Sequence, residues 1–144
     1  MRNLMLSWQF WAILSATFAA LTAIFAKIGV ADIGSDFATF IRTIVILIAL
    51  AVSLTIIGGW ESPFSLSAKS ILFLVLSGLA TGASWICYFR ALKIGQASQV
   101  APIDKLSVVL VALFGALFLG EQLSLGGWLG VGFIATGATL IALF

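Results

Sequence analysis

Five long apolar segments constrain the fold of this chain more than any other feature of its sequence. Their approximate bounds are residues 8–29, 37–58, 70–92, 98–119 and 124–143. Each segment is close to the ~20 residues that a helix needs to cross the hydrocarbon core of a bilayer. The sequence therefore predicts an all-α membrane protein: a bundle of five transmembrane helices in one domain, residues 1–144, with the lipid bilayer as its surroundings.

The composition argues against a water-soluble protein and against several classes of function. Hydrophobic residues make up 62% of the chain and charged residues 8%, which leaves too little polar surface to cover a soluble globule. The basic residues are scattered singly, so we expect no nucleic-acid partner. With Cys87 as its one cysteine and no histidine, the chain offers no metal site, so we expect no cofactor and no enzymatic activity.

The distribution of positive charge bears on the orientation in the membrane. An odd number of spans places the two termini on opposite sides. The face that holds the N-terminus carries Arg2 and Lys69, and the opposite face carries Lys27, Arg90 and Lys93. The excess of one charge favours an N-terminus outside and a C-terminus inside. So small an excess is also what a chain that inserts in both orientations would show.

Three charged residues lie five or more residues inside the predicted spans, where each costs roughly 2.5–3.5 kcal/mol on insertion scales. They are Arg42, Asp104 and Lys105. Arg42 and Lys105 have long side chains that can reach the headgroups, whereas Asp104 is short and lies ~9 Å inside the fourth span. Because adjacent helical residues point about 100° apart, we expect Asp104 and Lys105 to face different neighbours rather than to pair.

Pro102 adds a backbone acceptor beside Asp104, because it lacks an N–H and crowds the carbonyl of Ser98. Two interpretations of this polar notch stay open. In the first, Asp104 pairs with Arg42 or Arg90 and locks the bundle. In the second, the notch lines a substrate cavity in which Asp104 meets a cationic group or takes up a proton.

Polar and aromatic side chains on other spans are candidates for the same interior. Trp85 and Tyr88 either pack within the bundle or form an aromatic wall for a ligand. The full set of substrate-cavity candidates is Ser15, Thr22, Arg42, Thr81, Trp85, Tyr88, Pro102 and Asp104.

Small residues recur at the four-residue spacing that lets helices approach closely. Gly78 and Gly82 form such a pair in the third span, and Gly126 and Gly130 form one in the fifth. Two interpretations stay open here as well: packing between helices of one subunit, or a dimer seam along the fifth span.

Several stretches in order resemble the EamA-like domain of the drug/metabolite transporter superfamily. They are "WAILSATFAALTAIFAKIG" in the first span, "GASWICYFRALKIG" at the end of the third, "ASQVAPI" opening the fourth, and the "LGE" turn followed by a glycine-patterned last span. The resemblance implies a five-helix unit that most members of this superfamily carry twice, as an inverted repeat around a central cavity. It also implies that Glu121, in the turn, stabilises a helix reversal.

This chain has one copy of the unit, so the resemblance implies a second subunit: either an identical chain inserted in the opposite orientation, antiparallel to the first, or a paralogous partner. The function implied is transport of a small organic metabolite or drug-like molecule across the inner membrane by alternating access. The first span has no acidic residue, which makes proton-coupled efflux of the kind found in smaller relatives doubtful. A scaffold or accessory subunit that does not transport is the alternative.

Overall fold

The computed structural model describes residues 7–144, so Arg2, counted above for the charge balance, lies outside the described residues. Throughout this part of the chain the regular structure is helical. The helices are α1 (Trp8–Gly29), α2 (Ser35–Ile57), α3 (Ala68–Ile94), α4 (Ala97–Asp104), α5 (Ser107–Phe118) and α6 (Leu125–Leu143), with a 3₁₀ turn at Pro63–Ser65 between α2 and α3.

Five stretches of helix are long and apolar enough to cross a membrane, when α4 and α5 are taken together as Ala97–Phe118. The fold class predicted from the sequence is therefore confirmed. Large apolar side chains point outward along these helices, for example Ile56 at 79% and Phe133 at 76% exposure. Such a surface requires lipid around it, because water would make its exposure costly. The chain is a multi-pass membrane protein.

The fourth span is not one continuous helix, because it breaks between α4 and α5. The N–H of Lys105 donates to the carbonyls of Pro102 (3.1 Å) and Ala101 (3.3 Å), and that of Leu106 donates to Ile103 (3.0 Å). Bonds that reach back three residues belong to the tighter 3₁₀ geometry. Pro102 has no N–H to donate and its ring crowds the preceding turn, which accounts for a break just after it.

Two glycines with positive φ end helices. Gly58 (φ 70°) ends α2, and the N–H of Gly59 returns to the carbonyl of Leu54. Gly120 (φ 67°) lies in the reversal after α5. In that reversal the N–H of Glu121 donates to the carbonyl of Gly115 over 3.0 Å, so Glu121 belongs to the turn to which the sequence assigned it.

The chain divides into two compact units. The central unit is Ala26–Lys93, and the terminal unit comprises residues 7–25 with Ile94–Phe144. In the terminal unit, α6 packs against both α4 and α5. Its first turn is capped by Ser124, whose side chain accepts a hydrogen bond from the N–H of Gly127.

In the central unit, the end of α1, the start of α2 and the end of α3 come together. We call this the basic end of the unit: residues 26–42 and 85–93. The ammonium of Lys27 donates to the carbonyl of Leu92 over 2.6 Å, and that of Lys93 donates to the carbonyl of Ile33. Leu92 itself is fully buried. These bonds fix which ends of the helices are neighbours.

Candidate functional site

An arginine on aromatic rings is the most distinctive side-chain arrangement of the central unit. The guanidinium carbon of Arg42, on α2, lies 3.9 Å from the ring centroid of Trp85 and 5.5 Å from that of Phe89, both on α3. Phe89 is buried, while Arg42 and Trp85 are half-buried. A cation this close to an indole face is attracted by the ring quadrupole, and the attraction is stronger where water is scarce.

The register of α2 against α3 is held by an ion pair nearer the ends of the two helices. Arg90 donates from Nε to Oδ1 of Asp36 over 3.0 Å and from Nη2 to Oδ2 over 2.7 Å. This two-bond arrangement matches the planar fork of the guanidinium to the carboxylate, which fixes direction as well as distance. Arg42, six residues beyond Asp36 on α2, lies alongside Trp85.

The aromatic partners follow from helical periodicity on α3. Trp85, Tyr88 and Phe89 are three and four residues apart, so they lie along one face of the helix. The sequence pointed to Trp85 and Tyr88 but not to Phe89, which it gave no reason to separate from other apolar residues. The four-residue spacing from Trp85 to Phe89 would have indicated that both lie on one face of the helix.

The surroundings of Asp104, in the terminal unit, differ from those of Arg42. Its Oδ2 lies 3.1 Å from the ammonium of Lys105, so the prediction that these neighbours do not pair was wrong. The prediction assumed a regular helix through both residues. Instead α4 ends at Asp104, and Lys105 sits in the tight turn with a side chain long enough to reach back. Asp104 keeps 35% of its side-chain surface exposed.

The two arginines that the locking interpretation assigned to Asp104 both have contacts inside the central unit. Arg90 pairs with Asp36, and Arg42 lies on the rings of Trp85 and Phe89. The structure thus groups Arg42 with Trp85 in one unit, and Pro102 with Asp104 in the other.

The remaining cavity candidates are polar groups on α1 and α3. The hydroxyl of Thr81 donates to the carbonyl of Ser77 over 2.9 Å, one turn back in its own helix. Ser15 is exposed, while Thr22 and Tyr88 are half-buried. Among the described residues, 7–144, no group of three or more His, Cys, Asp or Glu side chains is placed to hold a metal ion.

The paired glycines have open space beside them. A Cβ built on Gly78, Gly82 or Gly130 would meet no atom within 4 Å in the described part of the chain, and one on Gly126 would meet only the hydroxyl of Ser124 at 3.8 Å. The dimer seam along the fifth span stays a prediction, as does close packing between helices of one subunit.

Comparison with known proteins gives a consistent result. The profile of the EamA-like transporter family matches residues 6–143. The chain is similar to the "uncharacterized transporter in cobO 3'region" of a Sinorhizobium species, with 64% identity over 138 residues, which is 96% of this chain and 98% of that protein.

More distant similarity is to proteins described as probable 4-amino-4-deoxy-L-arabinose-phosphoundecaprenol flippase subunit ArnE. The one from Aeromonas hydrophila is 35% identical over 69 residues, covering 48% of this chain and 60% of that protein. The one from Hamiltonella defensa is 27% identical over 73 residues, covering 51% and 66% respectively. No solved structure matches the chain.

Proposed function

This chain belongs to the EamA-like transporter family, and from that premise we propose that it moves a small organic metabolite or drug-like molecule across the membrane by alternating access. The observation that carries the proposal is the family match over residues 6–143, which includes all five potential membrane spans. The chain acts as one EamA-like domain, residues 1–144, and performs no covalent chemistry on what it carries.

The transporter is a dimer. A ten-helix transporter built from an inverted repeat needs two units of five spans, and this sequence supplies five. The word "subunit" in the names of the flippase relatives fits the same arrangement for those proteins. The second unit is either an identical chain inserted in the opposite orientation or a paralogous partner, and the near-even distribution of basic residues supports the first.

The residues that contact the substrate are among the cavity candidates named above, and the protein lies in the inner membrane of the cell. Arg42 and Trp85 supply one polar position in the central unit, and Asp104 beside Pro102 supplies one in the terminal unit. Charged residues at membrane depth mark substrate or ion pathways in transporters, which supports their assignment.

Transport is tested with purified protein in liposomes. Vesicles are loaded with a panel of unlabelled amino acids, sugar phosphates, dicarboxylates, nucleosides and organic cations, and exchange with labelled external compound is measured. We expect at least one compound to exchange faster than in protein-free vesicles. If none does, the scaffold alternative replaces this proposal.

Dual topology is tested separately with reporters at the C-terminus. A reporter active only in the cytoplasm and one active only outside are fused to the same chain. We expect both to be active. Activity of one alone would contradict the antiparallel homodimer and leave the paralogous partner.

A further inference from the structure

Arg42 is an intramembrane cation that pairs with no carboxylate in the described part of the chain. It lies seven residues after the first residue of α2, or about 10 Å along the helix. Asp36 is the one acidic residue of α2, and both of its oxygens accept bonds from Arg90. Among residues 7–144 no ion pair is formed by Arg42. Its charge is therefore not neutralised by the part of the chain that the structure describes.

The position of Arg42 against Trp85 leaves its hydrogen-bond donors available. A guanidinium carries five N–H donors around its edge, and the guanidinium carbon of Arg42 lies 3.9 Å from the ring centroid of Trp85. No hydrogen bond from Arg42 to any described residue competes for them. Within residues 7–144, no fully buried side-chain nitrogen lacks a partner, so the N–H groups of Arg42 reach an accessible surface.

The basic end of the central unit carries an excess of positive charge. Its residues include the cations Lys27, Arg42, Arg90 and Lys93 against two carboxylates, one of which is Asp36. Three of these cations have oxygen partners: Lys27 and Lys93 bind backbone carbonyls, and Arg90 binds Asp36. Arg42 is the member of this group whose described contacts are aromatic rings.

An interaction of Arg42 with lipid headgroups does not account for the position of its side chain on Trp85. An arginine that only sought the membrane surface would extend toward the helix end, past Asp36. Arg42 instead lies on Trp85, which is five residues deeper in α3 than Arg90, or about 7.5 Å along the helix. The ring holds the cation inside the span, where an uncompensated charge is costly.

We propose that Arg42, seated on Trp85 and Phe89, binds an oxyanion, the carboxylate or phosphate group of the molecule that the protein transports. The guanidinium fork donates two parallel hydrogen bonds to such a group, and the rings keep the fork oriented. This inference rests on the proposed function, because it assigns a chemical class to the substrate of the transporter.

Binding is measured first, independently of transport. The whole protein in lipid nanodiscs is titrated with inorganic phosphate, succinate and glucose 6-phosphate, and thermal unfolding is followed. We expect at least one of these anions to raise the unfolding temperature. Arg42→Gln should weaken that binding by about ten- to hundredfold, the range for charge-assisted hydrogen bonds. Arg42→Lys, which keeps the charge and loses the fork, should fall in between.

The matched control is Lys69→Gln, which removes one positive charge at the opposite end of α3. It should bind the anions as the wild type does. Trp85→Leu should weaken binding by about three- to tenfold, because the guanidinium of Arg42 loses its cation–π contact with the indole ring. If Arg42→Gln binds as tightly as the wild type, or if Lys69→Gln loses as much, the proposal is wrong. Elution volume and circular dichroism show whether each variant is folded. If Arg42→Gln does not fold, Arg42→Lys takes its place as the test of binding.

A lipid phosphate and a soluble anion share this chemistry, and native mass spectrometry separates them. Protein released from vesicles of phosphatidylcholine and phosphatidylglycerol is compared for wild type and Arg42→Gln. Retention of phosphatidylglycerol that depends on Arg42 identifies a lipid source, and anion-induced stabilisation without such retention identifies a soluble one. Failure of every anion and of the anionic lipid to bind overturns the proposal.

The exchange assay distinguishes this failure from failure of the proposed function. Exchange of a neutral or cationic compound at equal rates by wild type and Arg42→Gln would overturn the oxyanion proposal and leave the protein a transporter. Absence of all exchange, together with Arg42-dependent anion binding, would overturn transport and leave the binding site.

Discussion

The central and terminal units each contain a charged side chain within a potential membrane span, and they accommodate it differently. In the terminal unit Asp104 is neutralised by its neighbour Lys105, at a place where the helix is broken. In the central unit Arg42 is held by two aromatic rings on another helix, and the carboxylate of its own helix is bound by Arg90. The local pair has little charge left to offer a ligand, whereas the arginine offers a full charge and an open fork.

This difference changes which residue is the best candidate for binding. From sequence, Asp104 stood out because its side chain is short and cannot reach the membrane surface. In the structure Arg42 stands out, since it is the cation of the basic end without an oxygen partner among the described residues.

Replacing Arg42 with leucine should separate stability from activity. The substitution removes an intramembrane charge that costs about 2.5–3.5 kcal/mol on insertion scales, and it strands no carboxylate. We expect membrane abundance equal to or above that of the wild type, with transport reduced at least about tenfold. Immunoblotting of membranes and exchange in liposomes measure the two quantities. A fall in abundance as large as the fall in transport would mean that Arg42 locks the bundle instead.

Replacing Asp36 with asparagine should disturb the site indirectly. Arg90 loses its two-bond partner, so α2 and α3 are held less firmly in the register that places Arg42 on Trp85. We expect transport to fall about two- to fivefold, with little further loss in the double variant Asp36→Asn, Arg90→Gln, because the two residues act as a pair. Additive losses would show that they act separately.

Replacing Asp104 with asparagine should leave abundance near the wild-type level. Its partner Lys105 has a long side chain that can reach the headgroups, so its ammonium is not stranded inside the span when the carboxylate is removed. If Asp104 lines the substrate path, Asp104→Asn lowers transport more than Lys105→Gln does at matched abundance. Equal effects of the two variants would remove Asp104 from the path and leave it a structural residue of the break.

Replacing Gly115 with alanine should have the smallest effect. The added Cβ would lie 2.7 Å from Oε2 of Glu121, so the carboxylate must move. Because that atom is the free end of a flexible side chain, we expect a cost below about 1 kcal/mol in thermal stability. Glu121→Ala in the same chain should remove that cost. If the double variant Gly115→Ala, Glu121→Ala is still less stable, the strain lies in the backbone of the helix reversal and not in the side chain of Glu121.

The five spans were predictable because an apolar run of ~20 residues has few alternatives to a membrane helix. The bounds differ by small amounts for local reasons. The second span was predicted to begin at residue 37, whereas α2 begins at Ser35 and includes Asp36 in its first turn, where a carboxylate favours the helix dipole. The hydroxyl of Thr39 donates to the carbonyl of Ser35 and extends the same turn.

The side-chain partners were not predictable in the same way. Arg42 and Trp85 are 43 positions apart in sequence, and their contact depends on the register between two helices, which periodicity within either helix does not determine. The pairing of Asp104 with Lys105 was missed because a regular helix was assumed through both residues, whereas the regular helix ends at Asp104. The side-chain partners at the site therefore depend on the register between helices and on where a helix breaks. The fold class, in contrast, follows from the apolar composition.

Exchange of an organic anion across liposomes by wild type and Arg42→Gln, incorporated in equal amounts, measures whether Arg42 binds the transported molecule. We expect the wild type to exchange a carboxylate- or phosphate-bearing compound, and the variant to do so at a rate at least about tenfold lower. Equal rates for the two proteins would contradict this expectation.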